Sequence, residues 1–385
     1  MAPNPGEPLG PLTAGRAAEP DSVLPAARTA AQAAGVSRIA DITRLDRLGL
    51  PVWQAVRPMS RALSVHQGKG RTAIEAQLGA MLEAVESDCA ERFVGDGPSV
   101  AFDRLPAADR AASPKMFTYG GRMPLAAPAR WSGMDELVRG GVLWVPEESL
   151  SLDLAAYKGT DYEQTSSGLA SGVDREDAAC AALRELVERD AMIEWRCAGI
   201  MAAVDAIIDI DTIGYRWWHA WRRRFAAQAI AIRLYHLPSV IDMPTVVCEL
   251  NDLSRPGVAY RATHGSGCHA DPEIALFRAV AEAIQSRATF IAGARDDLGA
   301  DAFAAPNAGE AVVAFALPAP DGGKAWRAQP SRHAGLDPLV GALADAGFGK
   351  VGIREIGRPA GLSVVRAIVP GLGSLSRRRI APVAG

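Results

Sequence analysis

The chain predicts an α+β fold built from mixed or antiparallel sheets and three repeated amphipathic helices. Three observations carry that prediction. β-like runs over 229–237, 245–250 and 258–263 are joined by connections too short to hold crossover helices, which favours antiparallel pairing. One helical pattern occurs three times along the sequence. The regular alternation of strand and helix that marks a doubly wound parallel sheet is missing. With 385 residues, 49% of them apolar, there is material for a sizeable core, as two average domains or as one large domain with an extension.

The elements follow in order. Residues 1–22 are rich in proline, glycine and alanine and read as a flexible leader. A short helix over 24–34 completes an N-terminal extension, 1–34, ahead of a single domain over 35–385. An extended run passes through Val52, Trp53, Ala55 and Val56. From Gly95 to Trp144 proline and glycine are too dense for long helices, so loops and short strands are expected. The three β-like runs come next. A second soft stretch, 304–333, precedes a helix over 336–346 and strands over 351–356 and 362–369.

The repeat is IEAQLGAMLEAVE (74–86), EDAACAALRELVE (176–188) and EIALFRAVAEAIQ (273–285). With Glu75, Asp177 and Ile274 aligned, alanine comes next in each copy (Ala76, Ala178, Ala275) and again four positions later (Ala80, Ala182, Ala279). Then stand Glu83, Glu185 and Glu282, followed three residues on by Glu86, Glu188 and Gln285. Positions i and i+3 share a helix face, so Glu83/Glu86 and Glu185/Glu188 each project two carboxylates together. Like charges that close repel, and a divalent cation removes the repulsion. Magnesium suits such hard oxygen ligands because it leaves positions for phosphate oxygens. Around the second helix Leu183, Leu186, Val187, Ala191 and Ile193 form the apolar stripe. Glu185 and Glu188 fall nearly opposite it, facing water or a cleft, whereas Asp190 falls inside it and should cap or pair with a buried group. Each copy follows a glycine-bearing stretch: QGKG (67–70), SGLASG (167–172) and HGSG (264–267). Glycine-rich turns before helices can cradle phosphate on backbone N–H groups.

Other classes are disfavoured. A formal charge of −3, from 41 basic and 44 acidic residues, gives no basic face for nucleic acid. The short run Arg377–Arg378–Arg379 reads as a solvated tail. Five scattered cysteines without a CxxC pair argue against a disulfide framework or a structural zinc site. No apolar stretch reaches the length of a membrane span, so a soluble, cytoplasmic protein is expected. No Walker GxxxxGK[ST] occurs.

The run SSGLASGVDREDAACAALRELVERDA (166–191) resembles the signature of the YcaO family, as do QGKGRTAIEAQLGAMLEAVE (67–86) and THGSGCHADPEIALFRAVAEAIQSR (263–287). GVSRIADITRLDRLGLPVWQAVRP (35–58) resembles the lead-in of YcaO proteins encoded beside TfuA-like partners, and VVRAIVPGLG (364–373) the family's closing strand. The resemblance implies a YcaO-type ATP-binding fold with ATP and Mg2+ as cofactors. It implies ATP-driven phosphorylation of the oxygen of a backbone amide in a precursor peptide or protein substrate. It places magnesium on Glu83, Glu86, Glu185 and Glu188, catalytic roles on Arg189, Arg278 and Glu282, and ATP contacts on Lys69, Ser167, Asp177 and Gln285. The chain departs from the family pattern at Gly79, Ser167, Val173 and Asp177. A nucleophilic side chain within the substrate would give an azoline, and an external sulfide donor a thioamide. The TfuA-type lead-in and a C-terminal stretch without the proline-rich pattern of azoline formers favour thioamidation with a TfuA-like sulfur-supplying partner. An azoline-forming cyclodehydratase and a non-catalytic ATP-binding accessory protein are the alternatives. The choice between monomer and homodimer stays open.

Overall fold

The computed structural model describes residues 9–11, 15–124, 128–157, 159–254, 262–299 and 323–373. Helix α1 (Pro20–Ala33) precedes strands β1 (Arg38–Asp41), β2 (Val52–Val56) and β3 (Val65–Lys69), and β3 runs into α2 (Ala73–Glu91). Strands β4 (Ser99–Val100), β5 (Ala129–Glu136) and β6 (Val142–Pro146) lead to β7 (Leu169–Gly172) and the long α3 (Arg175–Asp205). Strand β8 (Ile208–Asp209) and α4 (Arg216–Ala227) come before β9 (Ile230–Leu237), β10 (Thr245–Asp252), β11 (Thr263–Cys268) and α5 (Pro272–Ala292). Strand β12 (Lys324–Ala325), α6 (Leu336–Asp345), β13 (Gly352–Gly357) and β14 (Ser363–Ile368) follow.

Sheet pairing is antiparallel throughout β1-β2-β3, β11-β10-β9 and the six-stranded sheet ordered β4-β5-β13-β14-β7 with β6 on β5. The short β8–β12 pair is parallel. This is the mixed, mainly antiparallel α+β architecture expected. The strands expected over 229–237, 245–250, 351–356 and 362–369 are β9, β10, β13 and β14. In the third β-like run, 258–261 lies outside the described residues and the strand begins at Thr263. The Arg377–Arg379 run and residues 304–322 also lie outside them.

Each copy of the repeat is a strand followed by a helix: β3–α2, β7–α3 and β11–α5. The glycine-bearing stretches are therefore largely strands, a correction to their reading as turns. HGSG lies wholly within β11. Close packing explains the glycines. A Cβ on Gly68 would lie 2.0 Å from the Ala76 carbonyl oxygen and 2.2 Å from the Ala80 nitrogen. On Gly265 it would lie 2.1 Å from the Ala283 nitrogen, on Gly267 2.2 Å from the Ala275 oxygen, and on Gly172 2.5 Å from the Ala178 nitrogen. Strand glycines and helix alanines thus form one interface in which backbone meets backbone. Gly79, one of the departures, belongs to it: its Cβ would stand 3.2 Å from Gly68 Cα. Each helix is capped by a side chain. Thr72 accepts from Glu75 N, Asp174 from Asp177 N and Asp271 from Glu273 N.

The helix expected over 24–34 starts earlier, at Pro20, and is no free extension. Ala27, Ala30 and Ala31 are buried with Met81 and Val85 of α2. Trp217, Trp218, Trp221 and Phe225 of α4 are buried in one core with side chains of α5, β9 and β10. Among the described residues no helix is long and apolar enough to cross a membrane.

Candidate functional site

The three strand–helix units contribute side chains to one cleft of about 650 Å3. Lys69, Glu83, Glu86, Arg189, Arg278, Glu282 and Gln285 all line it. Each carboxylate is fixed by a different part of the fold. Glu83 Oε2 accepts from Gln67 N of β3 at 2.7 Å. Glu86 Oε1 accepts from Ser171 of β7, from N at 2.7 Å and from Oγ at 2.6 Å. Glu185 accepts from Gly168 N at 3.3 Å and pairs with Arg189 at 3.5 Å. Glu188, 6% exposed, accepts from Ser266 Oγ of β11 at 2.6 Å. Glu282 takes Lys69 Nζ at 2.9 Å. The second carboxylate of α2 and of α3 is thus anchored on the strand of the following unit, and the units close on one another.

The electrostatics follow from crowding. Burial raises the pKa of Glu83 and Glu185. Burial also pushes Glu86 up to about 7; Ser171 pulls the other way and the Glu83 charge adds to the rise. Glu188 is raised by burial and by the Glu282 charge. Glu282 goes down: burial opposes its ionisation, but Lys69 and Arg189 prevail. Arg189 is raised despite burial by Glu185, Glu188 and Glu282. So the cleft holds acids that lack sufficient positive charge beside a cluster of cations, of which Lys69 and Arg189 are shared with Glu282 and Glu185. Among the described residues no three acidic, histidine or cysteine side chains stand close enough to hold an ion by themselves. A magnesium ion completed by phosphate oxygens needs only one or two carboxylates, and these side chains fit that demand.

Four expected residues are not among those lining the main cleft: Glu185, Glu188 (buried, where water or a cleft was expected), Ser167 and Asp177. Ser167 faces a smaller neighbouring cavity, with its Oγ 3.1 Å from Thr165 Oγ1. Asp177 sits on the first turn of α3, where its carboxylate accepts from Val173 N at 3.3 Å. Asp190 is buried and accepts from Gly373 N at 3.2 Å, the pairing its place in the apolar stripe required.

The structure also adds residues. Arg16, from the stretch read as a flexible leader, reaches into the cleft and donates to Ser171 O at 3.3 Å. Burial and the Arg278 charge lower its pKa, while Asp177 and Glu86 oppose the shift. Arg295 lines the wall beside Glu83. Leu63, Leu82, Phe277, Phe290 and Leu298 supply apolar walls suited to a flat ring system. Nothing in the periodicity around Gly15 and Arg16 announces a site. Their place is fixed by long-range contacts, such as that of Arg16 with Ser171, 155 residues away.

Residues 67–373 match the family described as YcaO cyclodehydratase, ATP- and Mg2+-binding. An uncharacterized protein in the tfuA 3′ region of Rhizobium leguminosarum bv. trifolii is 32% identical over 376 residues, spanning 93% of this chain and 88% of that protein. An uncharacterized protein of Methanothermobacter thermautotrophicus is 30% identical over 381 residues, 93% of this chain and 94% of its own. Among solved structures, YcaO from Methanopyrus kandleri bound with AMPPCP and Mg2+ superposes with a TM-score of 0.71 at 22% identity, covering 95% of this chain and 94% of that one. A heterocyclase in complex with substrate and cofactor gives 0.72 at 19% identity over 93% of this chain, which spans 52% of the heterocyclase. At these identities the two structures establish a shared fold.

Proposed function

The chain belongs to the YcaO family of ATP- and Mg2+-binding enzymes that act on peptide backbone amides, and we propose that it converts such an amide to a thioamide with sulfur delivered by a TfuA-like partner. The observation that carries the ATP-dependent part is the cleft, where Glu83 and Glu86, both raised by burial, face Lys69, Arg16, Arg189 and Arg278 across one space. Glu83, Glu86, Glu185 and Glu188 would hold magnesium, and bound ATP would supply the phosphoryl group that makes an amide oxygen a leaving group. Lys69, Arg16, Arg189 and Arg278 would oppose the negative charge of its phosphate oxygens. Ser171 and Ser266 fix the carboxylates beforehand, so little reorganisation is needed when the cation arrives. The apolar walls would keep water from competing with the incoming sulfur nucleophile.

The thioamide outcome is supported by the lead-in over 35–58 and by the 32% identical relative from a tfuA region. The test is the intact mass of the substrate after incubation with enzyme, ATP, magnesium, partner and sulfide. Exchange of oxygen for sulfur makes the product heavier. Loss of one water from a Cys-, Ser- or Thr-containing peptide, independent of sulfide, overturns the thioamide reading in favour of an azoline. No change in mass, with ATP binding demonstrated, leaves an accessory role.

A further inference from the structure

A second, smaller cavity of about 50 Å3 lies against the main cleft, with Arg366 of β14 on its wall. Arg366 is 2% exposed, and its Nη2 donates to Ser149 O at 3.0 Å and to Thr165 O. Its Nε and Nη1 have no hydrogen-bond partner, and neither does the hydroxyl of Ser149, 5% exposed on the same wall. Each buried donor left unmade costs on the order of 1–3 kcal/mol. For stability alone an apolar side chain of similar volume would serve as well. Unmet donors beside a cavity therefore point to a group that enters it and accepts hydrogen bonds.

The charge balance narrows the class. Burial pushes the Arg366 pKa down to about 10, while the Glu185 and Glu163 carboxylates work to keep it charged. Positive charge is thus already opposed from two sides, and what the guanidinium lacks is acceptors. Glu163, Thr165 and Ser167 also line the cavity, and the rest of its wall, with Met116, Leu186, Val369 and Leu372, is apolar. The volume admits a few heavy atoms and no nucleotide. A neutral acceptor on a small apolar frame satisfies all three conditions, and a peptide carbonyl is that group.

Position gives the cavity its role. Thr165 and Ser167 face it, Ser166 faces the main cleft, and Gly168 N holds Glu185. The segment 165–168 is therefore the partition between the two spaces, and Gly168 O in turn accepts from Ala367 N at 2.7 Å, next to Arg366. We propose that Arg366 and Ser149 form a carbonyl-binding subsite that holds the backbone of the peptide substrate beside Glu185. This rests on the proposed function only in naming a peptide as the source of the carbonyl.

The test needs neither turnover nor partner. In full-length protein carrying 15N-labelled arginine, the Arg366 Nε–H resonance is followed while N-methylacetamide or sodium hydrosulfide is titrated. The expected result is a saturable shift with N-methylacetamide, unaffected by magnesium and a non-hydrolysable ATP analogue, and about fivefold weaker in Ser149→Ala through loss of one neutral hydrogen bond. Arg366→Lys identifies the resonance; if it does not fold, the Ser149→Ala comparison decides alone. A saturable shift with hydrosulfide only would assign the cavity to a sulfur nucleophile and overturn the proposal, as would no saturable shift with either probe, which means resident water. Competition by the ATP analogue would make it part of the nucleotide site and overturn it equally. An azoline product in the mass experiment refutes thioamidation and leaves this titration unchanged.

Discussion

The first two units of the repeat and the third share one frame, yet they treat the same carboxylate position differently. In α2 and α3 the carboxylates rest on backbone N–H groups and serine hydroxyls, with Arg189 3.5 Å from Glu185 as the one ion pair described for them, and burial raises all four. In α5, Glu282 is paired with Lys69 at 2.9 Å and lowered, and glutamine replaces the second acid at Gln285. The physical lesson is a division of labour. Carboxylates held by neutral donors still need a cation, whereas one that already owns a lysine does not. On the proposed function the first two units would hold metal, and the third would position a cation toward phosphate.

The largest effect should come from breaking the half proposed to hold metal. Glu185→Gln is expected to lower magnesium-dependent ATP turnover per folded molecule by at least about a hundredfold, with melting close to wild type. If the variant melts far below wild type and its folded fraction turns over normally, Glu185 is structural. Next comes a contrast between halves. Glu86→Gln should raise the magnesium concentration for half-maximal ATPase by about tenfold or more, while Glu282→Gln should leave it within about threefold and alter the KM for ATP instead. Equal magnesium shifts in the two variants would erase the distinction drawn above.

The scaffold under both halves is tested by Gly68→Ala. With backbone 2.0 Å from the added Cβ, the strand and helix must separate, at a cost of about 1–3 kcal/mol in chemical denaturation. Gly341→Ala in α6, where nothing lies within 4 Å, is the control and should be neutral or slightly stabilising.

The smallest effect is one of pH. Glu86 titrates at about 7 in the fold against an ordinary 4.5. For an acid whose pKa is raised, the fold pays nothing below the ordinary value, and loses stability as pH climbs between the two. Glu86→Gln should therefore raise the Tm of the free protein at about pH 8, and the gain should vanish at about pH 4. Saturating magnesium and an ATP analogue should shrink it at the higher pH. A gain independent of pH would mean packing, not charge, is responsible.

Much of this was legible because it is local. Side chains three and four apart share a helix face whatever the rest of the chain does. So the repeated helices, the paired carboxylates and the antiparallel strands joined by short connections could be read from spacing. The glycine stretches misled for a physical reason. Glycine is favoured both where a turn needs its dihedral freedom and where a backbone approaches too closely for a Cβ, and the sequence records only the residue. Gly68, Gly265 and Gly267 are of the second kind.

What only tertiary structure decided is how the units close on each other. Glu86 meets Ser171 across 85 residues, Glu188 meets Ser266 across 78, and Lys69 meets Glu282 across 213. No periodicity encodes such pairs, because each depends on how whole sheets and helices pack. The same holds for Arg16, delivered to the cleft by a segment without repeat or pattern, and for Arg366, whose unmet donors exist only because a strand carries it into the interior. Local geometry put the charges on the right faces of the helices, and long-range packing decided which of them would lack a partner and so be left to bind.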